Sequence, residues 1–350
     1  MVSKRAAAIS ASATLAIDTK AKEFSQAGYQ VINFSAGQLD SPTPKNVAQA
    51  AKTAIEENFS RYTPVAGITE LKQAIAKRFK LNNNLNYDPA QIMVTSGGKQ
   101  ALFNLIFVLI DEQDEVILPT PAWVSYPEQI KICGGKPILL DSGSNFKITA
   151  DQLEKAISKK TKLLILNSPS NPTGAIYNKQ ELLSLAKVIV KHKIWAISDE
   201  VYEKIVFDQQ KHISIASLGK QIYQQTLIVN AASKTYAMTG WRIGWAAGNE
   251  KIISAATRLQ AHTTSNACSI SQKAALAGLT GSQAFIKPIV KKLDQRRKVL
   301  VAGLKQIKGF ETKLPQGAFY VFVNIKKIEP DSAKFCQELI EDQKVACVPG

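Results

Sequence analysis

Cysteine and histidine are scarce in this chain. The four cysteines, Cys133, Cys268, Cys336 and Cys347, stand far apart with no CxxC pair, which argues against a disulfide framework or a cysteine zinc site and fits a reducing compartment. The three histidines, His192, His212 and His262, lack HExxH-type spacing and read as surface or loop residues, not metal ligands. No apolar run is long enough to span a bilayer. Neither GxxxxGK[ST] nor GxGxxG occurs, and there is no internal repeat or low-complexity linker. The net charge of +16 comes from lysines placed as singles and doublets, such as Lys159-Lys160 and Lys291-Lys292, never as a block. That pattern describes a solvated surface and not a nucleic-acid patch, though it still attracts anions at long range.

The opening "MVSKRAAAISASATLAIDTKAKEF" has the basic tip and alanine-rich run of a targeting peptide. Ser10, Ser12 and Thr14 dilute it, while Leu15, Ala21 and Phe24, followed by Gly28, predict an amphipathic helix with a glycine stop. A cytoplasmic location is expected.

What the chain does contain is order. With 350 residues, 45% of them hydrophobic, it exceeds what one core usually organises, and two domains are expected. Short β-rich runs ("QIMVT", "EVILP", "KPILL", "KLLIL", "IWAIS", "TLIVN") alternate with helical segments ("KQALFNLIFVLI", Tyr126 to Cys133, "DQLEKAI", "ELLSLAKVIVKH"). This predicts an α/β fold, a mainly parallel sheet with helices on both faces. Two helices, "PKNVAQAAKTAIEENF" and "ITELKQAIAKRF", precede it. A long helix from Gln283 to Ile307, an alternating strand "AFYVFVNI" and a helix "SAKFCQELIEDQ" follow, so a second, smaller α/β domain is placed from about Phe285.

In an open parallel sheet ligands bind beyond the carboxyl ends of the strands. After "QIMVT", the glycines of "SGGKQALF" open a helix whose free N–H groups suit a phosphate, or simply make a tight turn. After "EVILP", Trp123 and Tyr126 lie on a proline-rich loop, for packing or for stacking on a flat ring. After "KLLIL", "NSPSNPTG" presents Asn167 and Asn171. After "IWAIS", Asp199 closes a buried strand and needs a positive or proton-donating partner, from a structural residue or from a ligand. After "TLIVN", "AASKTYAMTGWRIGWAAG" supplies Lys234, whose pKa apolar surroundings would lower toward a nucleophilic amine, and Arg242, a fork for phosphate. Each feature alone has an ordinary structural reading. Together they describe a site for pyridoxal phosphate.

"SNPTG", "SDEVYE" and "SKTYAMTGWRIGWAAG", in this order, resemble the motifs of the class I pyridoxal-phosphate aminotransferases of fold type I. "SATLAIDTKAKE", "RYTPVAGITELKQAIA", "GGKQALFN" and "WVSYPE" are similar to the bacterial aspartate aminotransferase branch, and the likeness runs from about Ser12 to Gly350. The resemblance implies an N-terminal arm and part of the small domain in 1–44, a large cofactor-binding domain in 45–284 and a small domain in 285–350. It implies that Lys234 forms a Schiff base with the cofactor and then moves the proton. Asp199 would pair with the pyridine nitrogen, Asn171 and Tyr202 would bond the phenolic oxygen, and Trp123 would stack on the ring. Gly98, Lys99, Ser233 and Arg242 would hold the phosphate, with Tyr62 reaching in from a neighbouring subunit of a homodimer. Gly37, Trp123, Asn171 and Lys99 would contact substrate, Lys99 at the distal carboxylate. The implied reaction is ping-pong transamination between an amino acid, most simply aspartate, and 2-oxoglutarate. A different aminotransferase specificity, a carbon–sulfur lyase and a catalytically impaired cofactor-binding protein are the alternatives.

Three departures qualify the resemblance. "GQLD" stands where the family has "GEPD", and Ser10 stands where branch members that also use prephenate carry a basic residue. The family also continues past "VACVPG" to an arginine that clamps the substrate α-carboxylate. The small domain is therefore expected to be incomplete; if 350 residues is the whole protein, cofactor binding with impaired turnover is expected, and if it is a fragment, the full enzyme is expected to be ordinary.

Overall fold

Apolar strands without alternation need cover on both faces, which the inner strands have, while the edge strand Lys136–Asp141 leaves Leu139 62% exposed. The computed structural model describes residues 2–10 and 13–350; Ser12, where the resemblance begins, lies outside the described residues. Its centre is a seven-stranded sheet of β1 (Ile92–Thr95), β2 (Glu115–Thr120), β3 (Lys136–Asp141), β4 (Thr161–Asn167), β5 (Trp195–Asp199), β6 (Thr226–Ala231) and β7 (Gly244–Ala247), in the spatial order β1-β7-β6-β5-β4-β2-β3. Strands β2 to β6 pair in parallel, whereas β7 runs antiparallel to both of its neighbours. The fold is thus the expected mainly parallel α/β sheet.

Successive strand residues go to opposite layers. Ile92, Val94 and Ile228 pack with the helices Lys45–Glu56, Thr69–Asn83 and Ser269–Thr280. Met93, Leu163, Ile165 and Val229 pack with Gly98–Leu109, Ser125–Ile132 and Glu250–Ala261. Leu164, Leu166 and Ala196 pack with Ala150–Ala156 and Lys179–His192. At the amino end, the helix Ala13–Gln26 stops before Gly28 at φ +90°, as the glycine stop predicts. Ala21 and Phe24 pack with Ile340 and Ala346, but Leu15 is 67% exposed and does not join them. Ile32–Asn33 pairs in parallel with Val345–Ala346, so the two ends of the chain share a ladder.

Two differences from the sequence reading bear on the site. Strand β7 and the helices Glu250–Ala261 and Ser269–Thr280 are additional elements. "AFYVFVNI" is not one strand: only Val323–Asn324 pairs, antiparallel to Glu311–Thr312. Ala318, at φ +57°, breaks the extended path, and the residues after it turn toward β5. The helix Ile286–Leu304 supports this segment through Arg297, which is 4% exposed and donates to Asp294, Asp208 and the Pro315 carbonyl.

Where β7 meets β1, there is no room for a side chain. A Cβ on Gly244 would lie 2.4 Å from the Gly98 nitrogen and 2.5 Å from the Gly97 carbonyl carbon, both of them backbone. We expect Gly244→Ala to lower stability by about 3 kcal/mol, at the upper end of overpacking costs, and a thermal melt within a degree or two of wild type would contradict this close packing.

Candidate active site at the carboxyl ends of the strands

Strand β6 ends at Ala231 and leads directly into the short helix Ala232–Thr235, which carries Lys234. The ammonium donates to the Gly37 carbonyl and lies 5.6 Å from the Phe319 ring centre and 6.0 Å from that of Tyr202. Burial, reinforced by the positive charge of Arg242 and opposed by Asp199, lowers the Lys234 pKa to about 8. The amine is therefore available as a nucleophile near neutral pH.

Asp199, the last residue of β5, is buried. Its Oδ2 accepts from the Tyr126 hydroxyl at 2.8 Å and its Oδ1 from the Val201 N–H at 3.2 Å. Burial nevertheless outweighs these donors and raises its pKa to about 6. A carboxylate held this way gains from any cation brought beside it. Behind it, the wholly buried Glu200 accepts on one oxygen from Ser198 (2.8 Å) and Ser214 (2.6 Å), while His212 Nε2 lies 3.0 Å from the other. His212 does occupy a loop, yet its side chain is only 5% exposed, so the surface reading does not hold for it. This buried contact ties the loop to the end of β5.

The third group is the turn from β1. Gly97, at φ +89°, caps the helix Gly98–Leu109, whose first N–H groups have no partner within the helix. Arg242 crosses this turn, donating to the Thr239 carbonyl at 2.8 Å and, more weakly, to that of Ser96 at 3.4 Å. A Cβ on Gly97 would meet its guanidinium at 2.5 Å, and Gly98 lies against Ala231 of β6. Ser233 is buried beside Lys234. Glycine turn, guanidinium and lysine thus share one edge of the sheet.

The remaining predicted residues frame this centre. The Lys99 ammonium sits 4.9 Å from the Trp123 ring centre, and partial burial together with Arg242 lowers its pKa. Trp123 meets the edge of Tyr126 at 5.3 Å. Asn171 donates its backbone N–H to the Asn167 side chain, which in turn donates to the Asp199 carbonyl, so "NSPSNPTG" is laced to β5. The Tyr202 hydroxyl bonds that of Tyr320 at 2.6 Å. Tyr62, expected to reach a neighbouring subunit, is 90% exposed. Within "GQLD", the departing Gln38 only weakly contacts Thr239, while Asp40, shared with "GEPD", takes two bonds from Arg296 and one from Lys292, which hold its carboxyl well below the usual carboxylate range. The Ser10 N–H donates to Glu128.

Three residues at the site carry no role in the sequence reading. Tyr126 is named there only as a loop aromatic, and Phe319 and Tyr320 only as strand residues. The glycine and adjacent aromatics of "GAFY" were the available signal.

These geometries define a class of protein. The chain matches the family described as aminotransferase class I and II over residues 29–350 and belongs to it. Aspartate aminotransferase of Bacillus subtilis is 45% identical over all of this chain and 91% of its own length. A probable aspartate/prephenate aminotransferase of Rickettsia conorii is 43% identical, over all of this chain and 90% of its own. The structure of aspartate aminotransferase from Thermus thermophilus with maleate superposes with a TM-score of 0.95 at 38% identity, covering all of this chain and 91% of that one. The protein is accordingly an aminotransferase of fold type I, with pyridoxal phosphate as its cofactor. The residues present fit that group: a lysine of lowered pKa for the carbonyl, a buried acid lacking a full counter-charge, and a glycine turn closed by a guanidinium.

In cofactor-free protein, acylation of Lys234 followed against pH by peptide mass mapping should be half-maximal near pH 8, not near the ordinary lysine value of about 10.4. Asp199→Asn should move that midpoint lower, because it removes the charge that favours the ammonium. A midpoint near 10, or an upward move in Asp199→Asn, would disprove the electrostatic coupling.

Proposed function

We propose that the protein transfers the amino group of L-aspartate to 2-oxoglutarate in two half-reactions of ping-pong order, with Lys234 as the covalent attachment point of the cofactor. One observation carries this reading: the Lys234 amine, its pKa lowered, sits against the Gly37 carbonyl in the electrostatic reach of Asp199. When bound, pyridoxal phosphate supplies an electrophilic carbonyl and an electron-withdrawing ring.

The chain's own residues do the rest. Lys234, as a free amine of lowered pKa, would be the base that takes the substrate α-proton and later returns a proton. Asp199 would pair with the ring nitrogen of the bound cofactor, where a proton on that nitrogen would offset the burial that otherwise raises the Asp199 pKa to about 6. Gly98, Lys99, Ser233 and Arg242 would hold the phosphate, Trp123 would cover the ring, and Asn171 and Tyr202 would bond its phenolic oxygen. Lys99 faces the distal carboxylate, and Gly37 and Asn171 line the substrate. The maleate of the Thermus relative, itself a dicarboxylate, supports a site for a dicarboxylic substrate. A homodimer would bring Tyr62, now 90% exposed, to the partner's phosphate.

Aspartate should be the best of a panel of amino donors with 2-oxoglutarate, with parallel double-reciprocal plots. Lys234→Ala should lose the visible absorption band and at least about 10²–10⁴ of the rate, the usual size of a lost acid–base group. Release of product from a thioether amino acid without 2-oxoglutarate would favour a lyase instead. A bound cofactor with no turnover of any donor would favour a binding protein.

A further inference from the structure

The hydrogen bond between the Tyr202 and Tyr320 hydroxyls, at 2.6 Å, joins two separate stretches of chain. Tyr202 follows β5 by three residues, while Tyr320 comes from the irregular segment after the helix Ile286–Leu304. That segment is stitched to the Tyr202 loop along its backbone. Phe207 N–H donates to the Gln316 carbonyl, Ala318 N–H to that of Ile205, and Gly317 N–H to that of Gly174, each at 2.9 Å. Ala318, buried at φ +57°, then turns the chain so that Phe319 and Tyr320 both face Tyr202, with ring centres 5.5 and 5.7 Å away and nearly perpendicular.

Space for this arrangement comes from Gly37. A Cβ there would lie 3.2 Å from the Tyr320 hydroxyl, and the Gly37 carbonyl is the acceptor for Lys234. The Tyr320 hydroxyl therefore stands between the substrate-side backbone and the Tyr202 phenol. Both phenols remain neutral at physiological pH, since burial pushes Tyr320 up to about 12 and Tyr202 well above its ordinary value. A neutral pair shares one proton in its bond and leaves the other free to donate elsewhere.

We propose that Tyr320 is a positioning residue that acts through Tyr202: its hydroxyl donates to the Tyr202 oxygen, fixing that phenol and leaving the Tyr202 proton to donate to the anionic phenolic oxygen of the bound cofactor. This rests on the role given to Tyr202 above. A hydroxyl that accepts one bond is a stronger donor in the next, because the bonds polarise one another. The result is a two-phenol relay that stabilises negative charge at the cofactor oxygen, and its outer member belongs to the segment tied to the helix Ile286–Leu304.

The test uses the holoenzyme and the pH titration of its visible absorption band. A donor beside an anionic oxygen favours the deprotonated form, so losing it moves the midpoint to higher pH. Tyr320→Phe should raise the midpoint by roughly half to one unit, the equivalent of one hydrogen bond, and should weaken cofactor binding by about two- to tenfold. Its thermal melt should stay close to that of wild type. Tyr320→Leu, which also removes the ring, should shift the midpoint by as much as Tyr320→Phe. If the phenyl ring alone restores the wild-type midpoint, the role is packing and the proposal fails. In a Tyr202→Phe background, Tyr320→Phe should add no further shift, since the relay is already cut; an undiminished shift there would also overturn it. A wild-type protein without a pH-dependent visible band would refute the reading of the whole site, whereas a normal wild-type band that Tyr320→Phe leaves in place refutes this inference alone.

Discussion

Taking charge out of water at the ends of β5 and β6 is the constraint on which the rest of the site depends. Burial favours the neutral forms of both Lys234 and Asp199, drawing their pKa values toward each other, to about 8 and about 6. Each charge is kept in play by donors or acceptors from elsewhere in the chain: Tyr126 and the Val201 N–H for the acid, the Gly37 carbonyl for the amine. Those partners must be held still, because a buried charge that loses its partner is far more costly than an exposed one. The loop "NSPSNPTG", the Glu200–His212 pair and the Arg297 cluster act as that outer support. They fasten loops to strand ends.

Sheet topology explains why Lys234 and Arg242, close in sequence, meet the glycine turn of a distant strand. The parallel strands β2 to β6 all end on one edge. Strand β7 runs the other way between β1 and β6, with Ala231 opposite Gly244, so its beginning lies where β6 stops. Arg242, two residues before β7, is thereby delivered to the carboxyl edge. There it meets Gly97 and Gly98, since β7 is also the neighbour of β1. An all-parallel arrangement would need a long crossover to do the same.

Much of this could be read from the residues. The six apolar runs became six strands because unbroken β-branched and leucine-rich stretches suit a sheet covered on both faces, and the chemistry after each run fell on one edge for the same reason. Strand β7 was hidden because four residues, two of them small alanines, carry little periodic signal beside the charged and glycine-rich motif containing them. Tyr320 was hidden for the opposite reason: alternation in "AFYVFVNI" is a sound strand pattern, but the left-handed turn at Ala318 spends those aromatics on Tyr202 and not on a ladder. His212 looked like a loop residue, which it is. No local pattern could reveal that Glu200 lies within the fold to bury it.

The helix Ile286–Leu304 holds both walls of the site, but with unequal grips. On one side Lys292 and Arg296 hold Asp40, three residues from Gly37, through ion pairs in which every member is about half exposed. On the other, the next residue, Arg297, reaches Asp208 and the Pro315 carbonyl from a nearly dry position, 4% exposed. Exposed pairs contribute little and are weakened by salt, while a buried guanidinium is screened far less. Ionic strength therefore loosens the Gly37 side before the Tyr320 side, and one helix becomes an asymmetric clasp.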